Sequence, residues 1–398
     1  MNVFVSGYGI ISPLGFDANE NLHRLRKGLS GIRKAKYFDS KYAGILPFGE
    51  VDISTGELKK QIEIKNRKGL TRTCMLAIKA FNEAVLHAGL SEKEISSPDT
   101  SFISASTVGG MCMTDQLYKN ANLKSDETEF AQSYSCSAHT IRIIDEFKIK
   151  GFSNTINTAC SSSANAIMMG ARLIKSKRAK RAIVGGVDSL AKYTVNGFNS
   201  LRILSESACK PFDKFRTGLT LGEGAAFLVL ESEEIVGKKP CYAKIAGYGN
   251  ASDAYHASTM SDNAKGVVQS VSQALDSAGM KPIEIDFINA HGTGTLNNDF
   301  TEIVAFSKVF GKVPLFMSTK SYTGHTLGAA GVIEAVYSIY NIMHNEIYPQ
   351  LNFKTEIPEF GLKPVTNYRQ GLSINNVLSN SYGFNGNCTS LIFSKDVC

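Results

Sequence analysis

This chain encodes an α/β fold made of two copies of one unit set end to end, and three features point to it. Apolar β-type runs alternate with helix-length amphipathic stretches along the whole length. The segment EAVLHAGLSEKEI with the TSFISAST beyond it (83–107) is echoed by QALDSAGMKPIEIDFINAHGTG (273–294). Each is an amphipathic helix ending in Ala-Gly, an acidic turn and a short apolar strand. The opening VFVSGYG (3–9) is echoed in turn by YAKIAGYG (242–249). Internal similarity of this kind takes precedence over any motif, because it sets the architecture.

The elements follow in order. VFVSGYG reads as a strand and turn, with no basic segment ahead of it, and no apolar run reaches the roughly 18–20 residues that span a bilayer. A soluble, cytosolic protein is therefore expected. RAIVGGVDSL (181–190) and AAFLVLES (225–232) read as strands of the first half, and DFINAHG (286–292), VPLFMST (313–319) and TSLIFSK (389–395) as strands of the second. The βαβ order argues for mainly parallel sheets covered by helices. EEIVGKKPCY (233–242) has the basic, proline-containing composition of a connection, which divides the chain into halves at 1–235 and 236–398.

Bulk properties narrow the function classes. The 398 residues are 43% hydrophobic and 20% charged, enough to build two cores and unlike disordered or fibrous chains. Eight cysteines (Cys74, Cys112, Cys136, Cys160, Cys209, Cys241, Cys388, Cys398) fall without CxxC pairs, so neither a zinc site nor a disulfide framework is suggested. The net charge of +7 is clumped in KKQIEIKNRKGLTR (59–72) and KSKRAKR (175–181). Each clump reads first as a solvated face and second as a site for an acidic protein. Nucleic acid ranks below both, because no aromatics are interleaved.

The chemistry begins at NTACSSSANAIMMG (157–170). Helix propensity is good from Ala164 onward, and Ser161–Ser163 suit a first turn, so Cys160 is expected at a helix N-terminus, where free N–H groups and the helix dipole favour the thiolate. A lone cysteine is more often a buried structural residue, and only partners elsewhere shift that balance. The second half supplies candidates. His291 in NAHGTGT (289–295) follows a strand directly, at the strand end where α/β sheets place ligands. Lys320 and His325 lie in STKSYTGHTLGAAGVIEAV (318–336), which passes from strand to loop to a Gly/Ala-rich helix.

These residues resemble a β-ketoacyl-[acyl-carrier-protein] synthase of the elongating Cys-His-His type. TACSSS resembles the nucleophile segment, AHGTGT and KSYTGH the two histidine segments, PFDKFRTGLTLGEGAA (211–226) the stretch between them, and NSYGFNGN (380–387) the glycine-rich C-terminal loop. The resemblance implies a thiolase-like, five-layered α-β-α-β-α fold. It implies that Cys160 accepts an acyl chain as a thioester, with its own N–H and that of Phe384 as oxyanion hole. It further implies that His291 and His325 hydrogen-bond the thioester carbonyl of malonyl-[acyl-carrier-protein] and promote decarboxylation, and that Lys320 pairs with Glu334 to organise them. No metal or organic cofactor is implied. Phe384 would gate the acyl pocket. An initiating synthase of Cys-His-Asn type is disfavoured, since GHTLGAAG supplies a second histidine where an asparagine is expected.

Departures from the fatty-acid pattern bear on substrate. Asn385 stands where glycine is usual; Asn tolerates positive φ, so the loop shape can persist. Asn298-Asp299 replaces Gly-Asp, Thr217 replaces an aspartate, and SSSAN follows the cysteine in place of the commoner wording. Together they lean toward a type II polyketide or aryl polyene ketosynthase over housekeeping elongation. The resemblance also implies an acidic carrier protein as partner, with Lys65, Arg67, Lys68 and Arg202 in segments similar to those that face it. It implies a dimer, either of identical chains or with a chain-length-factor-like homologue, with RAIVGGVDSL or SNTINTA at the shared sheet edge. The rivals are a thiolase-type acyltransferase using coenzyme A substrates, against which Cys388 lies outside the needed motif, and a non-catalytic chain-length factor, which typically lacks the nucleophilic cysteine.

Overall fold

The computed structural model describes residues 1–117, 131–237 and 239–395; Cys398, and Lys238 of the expected connection, lie outside them. The first half supplies β1 (Val3–Ile11), β2 (Thr100–Ala105), β3 (Ser153–Ile156), β4 (Arg181–Asp188) and β5 (Gly224–Ser232). The second supplies β6 (Ala243–Ser252), β7 (Phe287–Asn289), β8 (Leu315–Met317), β9 (Asn376–Tyr382) and β10 (Asn387–Ser394). Within the first half the strands lie in the order β3-β2-β4-β5-β1, and within the second β8-β7-β9-β10-β6. Advancing each label by five turns one order into the other, so the echoes in the sequence are a duplicated topology. Among the described residues the halves meet at Phe4–Lys244 and Val5–Ala243, forming one ten-stranded sheet.

The helices that matter for the site are α1 (Arg72–His87), α2 (Ser162–Lys175), α3 (Lys192–Ser200), α4 (Lys265–Ala278), α5 (Leu296–Val309) and α6 (Ala330–His344). Central α2 and α6 share one core with both halves of the sheet, Ile167, Ile174, Val332 and Val336 packing with Val184, Leu228, Val377 and Phe393. On the outside, α1 covers the first half through Ile78 and Phe81 against Phe102 and Phe227. Likewise α4 and α5 cover the second through Val271 and Phe306 against Ile288 and Leu378. The result is the five-layered, thiolase-like α-β-α-β-α arrangement.

The repeated Gly-Tyr-Gly has a packing cause. A Cβ on Gly7 or Gly9 would come within 2.6 Å of Ala88 Cβ or 2.3 Å of the Ala80 carbonyl on α1. In the second half, one on Gly247 or Gly249 would come within 2.2 Å of the Ala274 carbonyl or 2.1 Å of the Ser270 carbonyl on α4. Both first strands thus need glycine where the covering helix lies directly on the backbone.

Two expectations are corrected. The sheet is mixed, not mainly parallel: β2 pairs parallel with β3 and β4, and β7 with β8 and β9, but β5 runs antiparallel to β1 and β4, and β10 antiparallel to β6 and β9. For β9 and β10 the reason is length, since the few residues 383–386 between them are too short for the crossover that parallel strands require. Nor can RAIVGGVDSL be a free edge, because β4 is flanked by β2 and β5. Among the described residues the edge of the first half is β3, within SNTINTA. Among the described residues no helix is long and apolar enough to cross a membrane.

Candidate active site

β3 leads into a turn in which Ala159 takes φ 54°, then Cys160, then the N-cap Ser161 of α2. A left-handed non-glycine residue is strained by about 1–2 kcal/mol and persists only when its surroundings hold it. Here Ser162 Oγ accepts the Thr158 N–H at 2.9 Å and donates to the Ala159 carbonyl at 2.5 Å. Asn165 extends the brace: its Nδ2 donates to Thr158 Oγ1 at 2.8 Å and to Asn387 Oδ1 at 2.9 Å, while Asn250 Nδ2 donates to the same Asn387 oxygen at 3.0 Å. The unusual SSSAN wording therefore ties α2 to β6 and β10, and so to the loop above the cysteine.

That loop carries Phe384. Asn385 adopts φ 63°, the left-handed geometry expected of it. The Phe384 ring stacks on Phe198 of α3 with centroids 5.5 Å apart and planes 19° apart. Both the Phe384 N–H and the Cys160 N–H face the Cys160 sulfur. Cys160 stands at the helix start as expected, but its protonation differs: burial pushes the thiol up to about 12, against the opposing pull of Lys320 and the Phe384 N–H. Dipole stabilisation at a helix end acts on a charge that the closed cavity desolvates, and here desolvation wins.

His291 follows β7. Its backbone N–H and that of Gly292 donate to the two carboxylate oxygens of Glu302 on α5, each at 2.8 Å. Asp299, one turn earlier on α5, accepts the N–H groups of Phe212 at 2.7 Å and Gly294 at 3.1 Å and pairs with Arg216. These two carboxylates bind the AHGTGT loop and the PFDKFRTG segment to one helix. His325 is reached from the other side. The Gly328 N–H, just beyond it, donates at 2.7 Å to buried Asp188, which also braces the loop after β2 by accepting from Thr107 and Val108. The imidazoles of His291 and His325 stand 5.3 Å apart, nearly perpendicular.

Lys320 is 1% exposed. Its Nζ contacts Glu334 Oε1 on α6 and lies 3.2 Å from His291 Nδ1. An ammonium has only donors, so Nδ1 must accept, and the imidazole proton is left on Nε2. Burial holds both histidines well below the ordinary imidazole value, and the Lys320 charge adds to this, so both are neutral. Burial raises Glu334 to about 7, against the pull of Lys320, and raises Glu302 to about 8, against its two N–H bonds.

Cys160, His291, His325 and Phe384 line one cavity of about 290 Å³, together with Phe198, Met260, Thr293 and Tyr382. Arg202 lines the same cavity. Lys65, Arg67 and Lys68 do not; they are exposed on the loop before α1, where Arg142 donates to the Asn66 and Lys68 carbonyls. Lys320 and Glu334 stand behind the histidines. The sequence reading missed Glu302, Asp188, Phe198 and Tyr382 as parts of the site. The signal for Glu302 was a carboxylate on α5 in a position the fold buries, but nothing local distinguishes it from a surface glutamate.

Fold and cavity together define an acyl-transferring enzyme of thiolase-like architecture. Residues 1–235 match the family described as "Beta-ketoacyl synthase, N-terminal domain", and residues 242–354 match "Beta-ketoacyl synthase, C-terminal domain". A 3-oxoacyl-[acyl-carrier-protein] synthase 2 of Staphylococcus aureus (strain MRSA252) is 32% identical over 409 residues, covering 99% of this chain and 98% of the relative. Among solved structures, the ishigamide ketosynthase/chain length factor superposes with a TM-score of 0.94 at 30% identity, covering 100% of this chain and 99% of that one. A ketosynthase (ApeO) in complex with its chain length factor (ApeC) from Xenorhabdus doucetiae gives a TM-score of 0.86 at 28% identity, with 99% and 98% covered. The chain belongs to the β-ketoacyl synthase family. It is a ketosynthase, joining an acyl chain to a malonyl unit by decarboxylative condensation in fatty-acid or polyketide elongation.

Proposed function

We propose that this chain is the catalytic ketosynthase of a specialised, polyene-type or type II polyketide assembly, with Cys160, His291, His325, Lys320 and Glu334 as its machinery. The observation that supports the roles best is the Lys320 contact to His291 Nδ1, which leaves a neutral imidazole with its Nε2 proton free to donate. In the first half-reaction the Cys160 sulfur attacks an acyl thioester. The cysteine proton passes to a neutral acceptor such as His325, the two N–H groups of Cys160 and Phe384 stabilise the oxyanion, and the carrier sulfur takes up that proton and leaves as the thiol. In the second, malonyl thioester loses carbon dioxide to give an enolate whose oxygen His291 and His325 hydrogen-bond. The enolate carbon then attacks the acyl-Cys160 carbonyl and the cysteine sulfur leaves. Catalysis here needs no second thiol: Cys388 is buried on β10 and does not line the cavity that Cys160 shares with the two histidines, which weighs against the thiolase reading.

The polyene-type lean rests on Asn385, Asn298, Thr217 and the SSSAN segment, together with the likeness to a ketosynthase/chain length factor. Acyl carrier protein is the proposed partner. Arg202 at the cavity is the favoured docking residue, with Lys65, Arg67 and Lys68 as a more distant basic surface. Pairing through the free edge of β3, with a second copy or with a chain-length-factor-like homologue, completes the proposed assembly. The halves are taken as 1–235 and 236–398, and Cys74, Cys112, Cys136, Cys160, Cys209 and Cys388, none of them in a disulfide, accord with a cytoplasmic setting.

Intact-protein mass spectrometry tests this, using carrier proteins loaded with saturated, conjugated and aryl-enoyl chains and Cys160→Ala as control. Adducts that favour conjugated or aryl chains and vanish in Cys160→Ala support the reading. Adducts from saturated chains alone return the protein to fatty-acid elongation, and an adduct that survives Cys160→Ala refutes the nucleophile.

A further inference from the structure

The two N–H groups that face the Cys160 sulfur come from distant parts of the chain: Cys160 precedes α2, and Phe384 lies in the loop between β9 and β10. Their spacing depends on how those segments are joined, and Asn387, the first residue of β10, joins them. Its backbone carbonyl accepts the Gly383 N–H at 2.8 Å, one residue before Phe384. Its side-chain oxygen accepts from Asn165 Nδ2 at 2.9 Å and from Asn250 Nδ2 at 3.0 Å. Ser161 Oγ, one residue after Cys160, lies 2.7 Å from that same oxygen and 2.8 Å from the Thr158 carbonyl, its single proton shared between them. The loop rests directly on the nucleophile turn: a Cβ on Gly383 would come within 2.6 Å of the Thr158 carbonyl oxygen and 3.2 Å of the Cys160 nitrogen. Neither Ser161 nor Asn387 lines the cavity.

We propose that Asn387 is a positioning residue for the oxyanion hole, fixing the spacing of the Phe384 and Cys160 N–H groups through Gly383 on one side and Ser161 and Asn165 on the other. Two donors stabilise an oxyanion only where both reach the same oxygen, so looseness between their segments costs rate without removing any reacting group. The inference rests on the condensing mechanism proposed above, which uses this pair twice. It serves once when Cys160 takes up the acyl chain and again when the enolate attacks the acyl-Cys160 carbonyl. Loss of carbon dioxide from malonyl thioester relies instead on His291 and His325, whose supports are Glu302, Lys320 and Asp188. Asn387 should therefore act on acyl transfer and leave decarboxylation alone.

The test compares Ser161→Ala, Asn387→Leu and the double variant in the full chain. Acylation of Cys160, followed by mass spectrometry, should slow about tenfold in Ser161→Ala and about 10²-fold in Asn387→Leu, the range expected when a catalytic donor is misplaced by up to about 1 Å. The double variant should be no slower than Asn387→Leu, because the Ser161 hydroxyl acts through an oxygen that leucine lacks. The KM for the acyl donor, and the release of carbon dioxide from malonyl-[acyl-carrier-protein] alone, should stay at wild-type values. Wild-type acylation in either single variant overturns the proposal, as do additive losses in the double variant. A parallel fall in carbon dioxide release also overturns it, marking Asn387 as a general support of the fold. Where Asn387→Leu does not fold, Ser161→Ala decides by the same split between acylation and decarboxylation. A wild-type chain that forms no thioester on Cys160 overturns the condensing mechanism itself, and this role with it.

Discussion

Replacing Glu302 with glutamine separates what the site needs from what the fold would prefer. Each carboxylate oxygen accepts one backbone N–H, from His291 and from Gly292. An amide has one acceptor and one donor, so one N–H would face an NH₂, and the loss of a charge-assisted bond there is worth about 1.5–3 kcal/mol. Against this, burial raises the Glu302 carboxyl from its ordinary 4.5 to about 8. A carboxyl raised on folding stabilises fully below its unfolded value, and that contribution is lost as pH rises through the folded one. At about 1.4 kcal/mol per pH unit, the wild type loses roughly 5 kcal/mol over this window through Glu302 alone. Near pH 5 the carboxyl is protonated and resembles the amide, so the two proteins should unfold at similar denaturant concentrations. By pH 8.5 the glutamine variant should be the more stable, yet slower in condensation because His291 is less firmly held. Urea unfolding at intervals from pH 5 to 9, beside steady-state condensation rates, measures both. Parallel stability curves, or a variant that condenses at the wild-type rate, would refute the reasoning.

Two further outcomes are expected. Lys320→Met removes the charge that lowers the Cys160 pKa and orients His291, so Cys160 alkylation should shift to higher pH and malonyl decarboxylation should fall by about 10²-fold or more; an unchanged alkylation profile would deny that coupling. At Asn385, which holds φ 63°, glycine should leave chemical stability within about 1 kcal/mol, whereas valine should lower it by about 1–2 kcal/mol. Equal stability of the two variants would mean that the loop relaxes out of the left-handed region.

Much of this molecule could be read from its residues because its constraints are local. The Gly-Tyr-Gly echoes are forced by helices lying on the backbone of β1 and β6, and Asn385 takes the φ that its side chain tolerates. Sheet direction escaped the reading, since the alternation of strands and helices does not say which neighbour a strand will choose; β5 joins β1 and β4 antiparallel across distances no local pattern records. Glu302 and Tyr382 escaped it for a related reason. A glutamate on an amphipathic helix and a tyrosine at a strand end look ordinary until folding buries the first beneath His291 and sets the second in the cavity wall.

The sequence alone determined which chemical groups are available and in what order: a cysteine before a small-residue helix, two histidines each beyond a strand, a lysine between them, and a duplicated frame. Their ionisation was decided only by tertiary structure. The helix start that favours a thiolate at Cys160 is overridden once both halves close over it, because the energy of a charge depends on the water removed by every surrounding segment. The same enclosure keeps His291 and His325 neutral and brings Lys320 to His291 Nδ1. Solvation and direction belong to the assembled cavity, and no stretch of chain carries them by itself.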